Sequence, residues 1–232
     1  MKHFTAFQST LTGALLLTLG GCAHRTEPKF VALFPEDGEP AGWVVRHWAD
    51  VKNPPPAPVA WEVREGILHG GKNRGTWLLS EREYTDFIIE FDFKLGELGN
   101  SGLALRTPLA GDPAFDALEL QMADFRYNTD AKPSELTGGI YRAIAPLKQV
   151  YRPTEWNSYR VELRGPIIKA WLNGELIQDV NLDEATAEVK RHDGTDAVPL
   201  NRRPRRGHIG FQELGRDGTQ VMIRNARLAE LN

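Results

Sequence analysis

The chain has 232 residues, 41% of them hydrophobic and 25% charged, an ordinary balance with enough apolar mass for a single core. Its formal net charge of −3 gives no global pull toward nucleic acid, and no internal repeat is evident. All-β sandwiches of this length commonly form one domain, so length alone does not demand two.

The N-terminus reads as a leader rather than as part of the fold. Met1-Lys2-His3 is a short basic start, Leu11 to Leu19 is a small apolar stretch, and Leu19-Gly20-Gly21-Cys22 is similar to a bacterial lipoprotein cleavage box. The apolar stretch is too short to span a bilayer comfortably. Cys22 is the only cysteine, so no internal disulfide is expected. Residues 1–21 are expected to be a signal peptide, Cys22 the lipidation site, residues 22–29 a tether, and 30–232 the folded domain. Several acyl chains on one cysteine give stable anchoring. Ala23 follows the cysteine where an acidic residue would favour inner-membrane retention; by resemblance to Gram-negative lipoproteins, the expected location is the periplasmic side of the outer membrane.

Asn53-Pro54-Pro55-Pro56-Ala57-Pro58 must be extended, because proline fixes φ and restricts its predecessor; it is expected over the sandwich edge or a groove rim. In the next strand Phe87, Ile89, Phe91 and Phe93 share one face, with Glu90, Asp92 and Lys94 on the other. The most informative stretch is Asp116 to Asp124. Read as a strand, it puts Leu118, Leu120 and Met122 on one face, and Glu119 and Gln121 on the other, flanked only by Ala117 and Ala123. A carboxylate and an amide standing side by side among small neighbours suggest the floor of a binding groove.

Further along, Tyr159, Val161 and Leu163 alternate with Ser158, Arg160 and Glu162, and Ile167 to Leu172 is a more continuous apolar run. Asn173-Gly174 follows at once, a strong hairpin signal because both residues tolerate the positive φ of a type I′ turn. Asp183 to Val189 is the best candidate for a short helix. The polar segment Asp183 to Gly207 ends in a cluster of arginines, Arg202, Arg203, Arg205 and Arg206. Such a cluster could grip phosphates, but in an acidic chain with no other basic stripe it reads as a solvated loop at the mouth of a pocket. Ile209 and Phe211 then alternate with His208, Gly210 and Gln212, and Val221-Met222-Ile223 opens a closing strand. Many short strands separated by turn signals predict an all-β, antiparallel β-sandwich. Trp43, Trp61, Trp77, Trp156 and Trp171 are core residues by default, with one or two free to stack on sugar rings.

An ordered set of short pieces resembles the 3-keto-disaccharide hydrolase domain family from about Phe30 to Leu231. These include Leu33-Phe34, Gly42-Trp43, Trp61 to Leu68, Tyr84 to Phe87, Asn100 to Arg106, Glu119-Leu120-Gln121 and Thr137 to Tyr141. Glu155-Trp156-Asn157, Leu172-Asn173-Gly174, Gly207 to Gln212 and Ile223 to Ala226 complete it. The resemblance implies a concanavalin A-like jelly roll with the site on its concave face. Strand parity then gives the groove inventory. Asn100, Gly102, Ala104 and Arg106 share a face, as do His208, Gly210 and Gln212. The expected site is Asn100, Arg106, Glu119, Gln121, Tyr141, His208 and Gln212. Other readings exist for three of these: Arg106 as a structural partner of Glu119, Tyr141 as a core aromatic with its hydroxyl at the rim, and His208 as a strand-edge residue. Where relatives often carry Gln-Asp-His-Gly, this chain has Gln212-Glu213-Leu214-Gly215, so a family histidine has no counterpart there.

The chemistry this resemblance implies is cleavage of a 3-keto-glycoside or 3-keto-disaccharide. A ketone at C3 acidifies the hydrogen at C2, the resulting enolate expels the aglycone from C1, and water adds later. On that reading Glu119 is the base, Arg106 and Gln121 stabilise the enolate, Tyr141 or His208 is the acid, and Asn100 and Gln212 help bind the sugar. The expected partners are an oxidised sugar and, through Cys22, a membrane, with no nucleic acid. No cofactor is demonstrable; a divalent metal could substitute for some donors, but no ligand spacing demonstrates one. Two rival functions are a non-catalytic carbohydrate-binding module and a laminarinase-type glycosidase. The latter carries paired carboxylates on one strand, where this chain has Glu119, Gln121 and Asp124.

Overall fold

The computed structural model describes residues 1, 3, 27–55 and 57–231. The expected leader and the lipidation residue Cys22 lie outside the described residues. Among the described residues thirteen strands build two antiparallel sheets. In chain order they are β1 (Val31–Ala32), β2 (Trp43–His47), β3 (Glu62–Arg64), β4 (Ile67–His69), β5 (Thr76–Tyr84), β6 (Phe87–Lys94) and β7 (Asn100–Thr107). Then follow β8 (Leu118–Ala123), β9 (Asn157–Arg164), β10 (Ile167–Leu172), β11 (Glu175–Asn181), β12 (Gly207–Glu213) and β13 (Met222–Glu230). The larger sheet runs β11-β10-β9-β6-β13-β4-β3, with β1 beside β13; the smaller runs β2-β5-β12-β7-β8. This is the all-β, concanavalin-like jelly roll that the strand pattern and the resemblance predict.

Period-two alternation decides which side chains fill the space between the sheets. Phe87, Ile89, Phe91, Phe93, Tyr159, Val161 and Leu163 come from the larger sheet. Leu103, Leu105, Leu118, Leu120, Met122, Ile209 and Phe211 come from the smaller one, and all belong to one cluster of buried side chains. Phe91 meets Phe211 edge-on across the gap, with ring centroids 5.2 Å apart. Burying such side chains is the main favourable term in folding, at about 1.5–3 kcal/mol each. The Asn173-Gly174 turn joins β10 to β11 with φ of 53° and 84°, as a type I′ hairpin requires. Trp61 and Trp77 are buried, while Trp43, Trp156 and Trp171 are only partly so. Pro55 and Pro58 lie beside Trp43 and Trp61 at the edge strand β2, as expected of the proline-rich stretch.

Asp183 to Val189 is not a helix. An Asn181-centred turn opens it: the Asn181 side chain accepts from the Asp183 N–H at 3.2 Å and donates to Glu184 at 2.7 Å. A seven-residue segment has little to gain from helical hydrogen bonds alone, and Val189 is buried against Ala114, Phe115 and Ala197 instead. The α-helical turn is α1 (Pro113–Asp116), between β7 and β8, capped by the Asp112 carboxyl, which accepts from the Ala114 N–H at 3.0 Å.

Candidate active site

The outer face of the smaller sheet carries the candidate site. Antiparallel pairing aligns Leu79, Gly210, Ala104 and Glu119 in one row across β5, β12, β7 and β8. Continuing the register gives a second row of Trp77, Gln212, Gly102 and Gln121. The segment Gly138 to Tyr141 extends both rows by pairing with β8. The Gln121 N–H donates to the Gly139 carbonyl and the Tyr141 N–H to the Glu119 carbonyl, each at 2.9 Å. Tyr141 therefore stands opposite Glu119 on the same face. Gln212 and Gln121 flank Gly102, which has no side chain. Into that gap leans the Glu119 carboxyl: a Cβ built on Gly102 would lie 1.9 Å from its Oε1 and 2.7 Å from its Cδ. Gly102→Ala should therefore displace the carboxyl, the mobile end of a side chain, rather than the backbone. We expect turnover to fall about tenfold or more with thermal stability changed by no more than about 1 kcal/mol. Kinetics and thermal melts on the same preparation check both.

Glu119 is 3% exposed, and among the described residues no protein group hydrogen-bonds its carboxyl. Burial first, and the neighbouring Asp112 second, hold its pKa well above the ordinary carboxylate value, while Arg203 pulls the other way. The Gln121 Oε1 accepts the Met122 N–H at 3.0 Å, which turns the Gln121 amide N–H groups outward. Asn100 completes this end with an Oδ1 that is buried and unpartnered among the described residues. The recess between Asn100, Gln121 and Tyr141 measures only about 40 Å³, room for water rather than for a sugar ring. Tyr141 is partly exposed. Its hydroxyl lies 3.3 Å from His192 Nε2, and its pKa is raised by burial and then by Glu119, so the phenol stays protonated.

Two expected members are elsewhere. Arg106 sits in a bulge with φ of 54°, and β7 spends three residues where β12 spends two between the Thr107–His208 and Ala104–Gly210 pairs. Parity fails at that point. The guanidinium is fully buried and turned away from the groove face, donating to the Thr85 carbonyl at 2.6 Å, the Gly165 carbonyl at 2.7 Å and the Asp86 carboxylate at 2.9 Å. It neither contacts Glu119 nor lines the groove. His208 lies beyond the same irregularity. Its Nδ1 is 2.7 Å from the Ser80 carbonyl, and it lines a separate hollow with Glu83, Leu109 and Arg206. Asp124, the last acid of the laminarinase-like spacing, is bound by Arg126 at 2.7 and 2.9 Å and by the Tyr151 hydroxyl at 3.2 Å. Glu119 thus has no free carboxylate partner on its own strand. Glu213, in the stretch Gln212-Glu213-Leu214-Gly215, is buried and accepts the Gly215 and Val221 N–H groups at 2.8 Å each, which holds the β12–β13 loop.

Three contributors carry no motif. Asp112 is buried with its pKa raised to about 7, chiefly by burial. Arg203 is not solvated: it is buried and donates to the Ala114, Ala117 and Val198 carbonyls, fastening the 183–207 segment onto α1. His192 sits at the tip of a tight turn in that same segment. Nothing short of the tertiary packing brings Arg203 to Glu119 and His192 to Tyr141, although the His192-Asp193-Gly194 turn is a visible signal of a presented histidine.

The buried acids bear on stability. Asp112 and Glu213 both have pKa values raised to about 7, mainly by burial, whereas in the unfolded chain they titrate near 4. Between those values the folded protein binds more protons than the unfolded one, so stability falls as pH rises through that window. The slope per group is at most about 1.4 kcal/mol per pH unit. A thermal midpoint that rose from pH 4.5 to pH 7.5 would contradict this.

A wider depression, about 950 Å³, is on the opposite sheet, where Glu90 and Asp92 are already taken up by Arg160, Arg227 and Arg224. Among the described residues it has no unpaired acid to act as a base. Among the described residues no group of three or more His, Cys, Asp or Glu side chains could hold a metal ion.

The smaller sheet of this jelly roll thus presents a buried carboxyl among amides on its outer face. The chain belongs to the 3-keto-alpha-glucoside-1,2-lyase-like domain family, whose model matches residues 29–229. It is similar to the solved structure of a candidate glycosyl hydrolase from Parabacteroides distasonis, with 26% identity over 88% of this chain and 100% of that one, and a TM-score of 0.70. A second such protein from the same organism is 24% identical over 88% and 94% of the two chains, with a TM-score of 0.68. The carbohydrate binding module CBM66 from Bacillus subtilis shares the fold at 16% identity over 85% and 99%, with a TM-score of 0.50. No curated protein matches the chain.

Proposed function

We propose that the protein cleaves 3-keto-glycosides by eliminating the aglycone and then adding water. The observation that carries this reading is the Glu119 carboxyl, buried, free of protein hydrogen bonds among the described residues, and lying across Gly102 between two amides. A carboxylate of raised pKa is a strong base, suited to taking the C2 hydrogen that a C3 ketone has acidified. Breaking that C–H bond places charge on the C3 oxygen, where Gln121 and Gln212 supply neutral donors and Asn100 a further amide. The enolate re-forms the ketone as the C1–O bond breaks, leaving a C1–C2 double bond. The leaving oxygen takes a proton from Tyr141, the one phenol facing Glu119. Water then adds its oxygen to C1 and its hydrogen to C2, giving the free 3-keto sugar.

The recess beside Gln121 holds water rather than a sugar ring, so substrate binding requires neighbouring groups to move. Tyr141, which lines that recess, is only partly buried, and the turn that brings His192 to its hydroxyl is exposed. Product analysis of the purified protein with a 3-keto-glucoside beside its unoxidised parent tests the reading. Release of aglycone from the oxidised sugar alone is expected; cleavage of the parent alone would replace elimination with ordinary glycoside hydrolysis.

A further inference from the structure

The segment between β11 and β12 brings a histidine to the site by a defined route. Lys190 and Asp196 form an antiparallel bridge and an ion pair, the Arg191 N–H donates to the Thr195 carbonyl at 2.8 Å, and Gly194 takes a φ of 86° to close the turn. Val189 and Ala197, at the base of this small hairpin, are buried against Phe115. Arg191 pairs with Asp116 of α1. His192 is thereby held edge-on to the Phe115 ring, with centroids 5.4 Å apart at 88°.

The two ring nitrogens of His192 have different partners. Nδ1 faces Arg142 Nη1 at 3.5 Å, and Arg142 is itself held by Glu135 at 3.0 Å. A guanidinium can only donate, so Nδ1 must be the acceptor. Loss of water around the ring and then the Arg142 charge lower the His192 pKa, which favours the neutral imidazole. A neutral ring with an accepting Nδ1 carries its hydrogen on Nε2, the nitrogen 3.3 Å from the Tyr141 hydroxyl. Tyr141 then accepts from His192, and its own O–H is left to point elsewhere.

We propose that His192 is the positioning residue for Tyr141: its Nε2–H binds the phenol oxygen and so aims the phenol hydrogen at the substrate oxygen leaving C1. This rests on the 3-keto-glycoside reading above. It gives the histidine of the 190–196 hairpin a role beside Tyr141.

His192→Phe keeps a ring against Phe115 but has no donor, whereas His192→Gln offers an amide N–H at a similar reach. With a 3-keto-glucoside as substrate, the Phe variant should lose about tenfold in kcat with KM little changed, and the Gln variant should recover most of that loss. Nitrogen-15 spectra of the wild-type imidazole should show hydrogen on Nε2. Equal kcat in the Phe variant and wild type, equal impairment of the Phe and Gln variants, or hydrogen on Nδ1 would each overturn the inference while leaving the activity standing. A wild-type protein silent toward every 3-keto-glucoside offered would instead overturn the underlying reading, and this inference with it.

Discussion

Glu119→Gln is expected to lower turnover on a 3-keto-glucoside by ~10² or more, the lower end of what a lost general base costs. The substitution keeps nearly the same volume, so the carboxamide still fits over Gly102 beside Gln121 and Gln212. It also removes a buried acid that costs stability when it ionises, so the variant should melt no lower than wild type at neutral pH. The rising limb of the pH–rate profile should disappear with the carboxyl, because the remaining groups facing the substrate are amides and a phenol. Near-normal turnover in a folded variant would remove Glu119 from the role of base.

Arg106→Met should do the opposite, costing stability rather than chemistry. It would leave the Thr85 and Gly165 carbonyls without their donor and Asp86 without its cation. Buried charge networks broken on one side typically lose 3–5 kcal/mol, and the partial exposure of Asp86 moderates this to about 3 kcal/mol. Turnover per folded molecule should change less than about threefold, since the guanidinium points away from the groove. Chemical denaturation and active-site-normalised kinetics separate the two effects. A large fall in kcat without loss of stability would return Arg106 to the site.

What the sequence made legible follows from where alternation runs unbroken. Glu119, Gln121 and Gln212 sit on regular stretches of β8 and β12, so counting by twos places them on the groove face, and the hydrophobic partners Leu118, Leu120 and Phe211 confirm the count. Arg106 sits in a bulge and itself takes the positive φ, and His208 lies past it, a conformation no residue pattern announces. Gly207 is the local hint, because a Cβ there would lie 2.5 Å from the Arg106 backbone. Asp112, Arg203 and His192 were illegible for another reason. Asp112 is brought to Glu119 by the α1 turn between β7 and β8, while Arg203 and His192 arrive by packing the 183–207 segment onto α1 and Tyr141, which for Arg203 is a contact between positions some ninety residues apart. An arginine run looks alike whether it is solvated or, as at Arg203, buried against carbonyls.

The mounting of the two groups proposed to handle protons differs in stiffness. Glu119 is borne on a strand with the hydrophobic core beneath it, a paired strand on one side and the Gly138–Tyr141 segment on the other, so its backbone has almost no compliance. On the proposed mechanism Tyr141 takes its bearing from His192, on a short turn whose tip is exposed. Thermal motion and mutational drift would then be expressed on the acid side of the reaction. Changes in the turn at residues 190–196 would retune which leaving groups are accepted while the geometry of C2 deprotonation stays fixed.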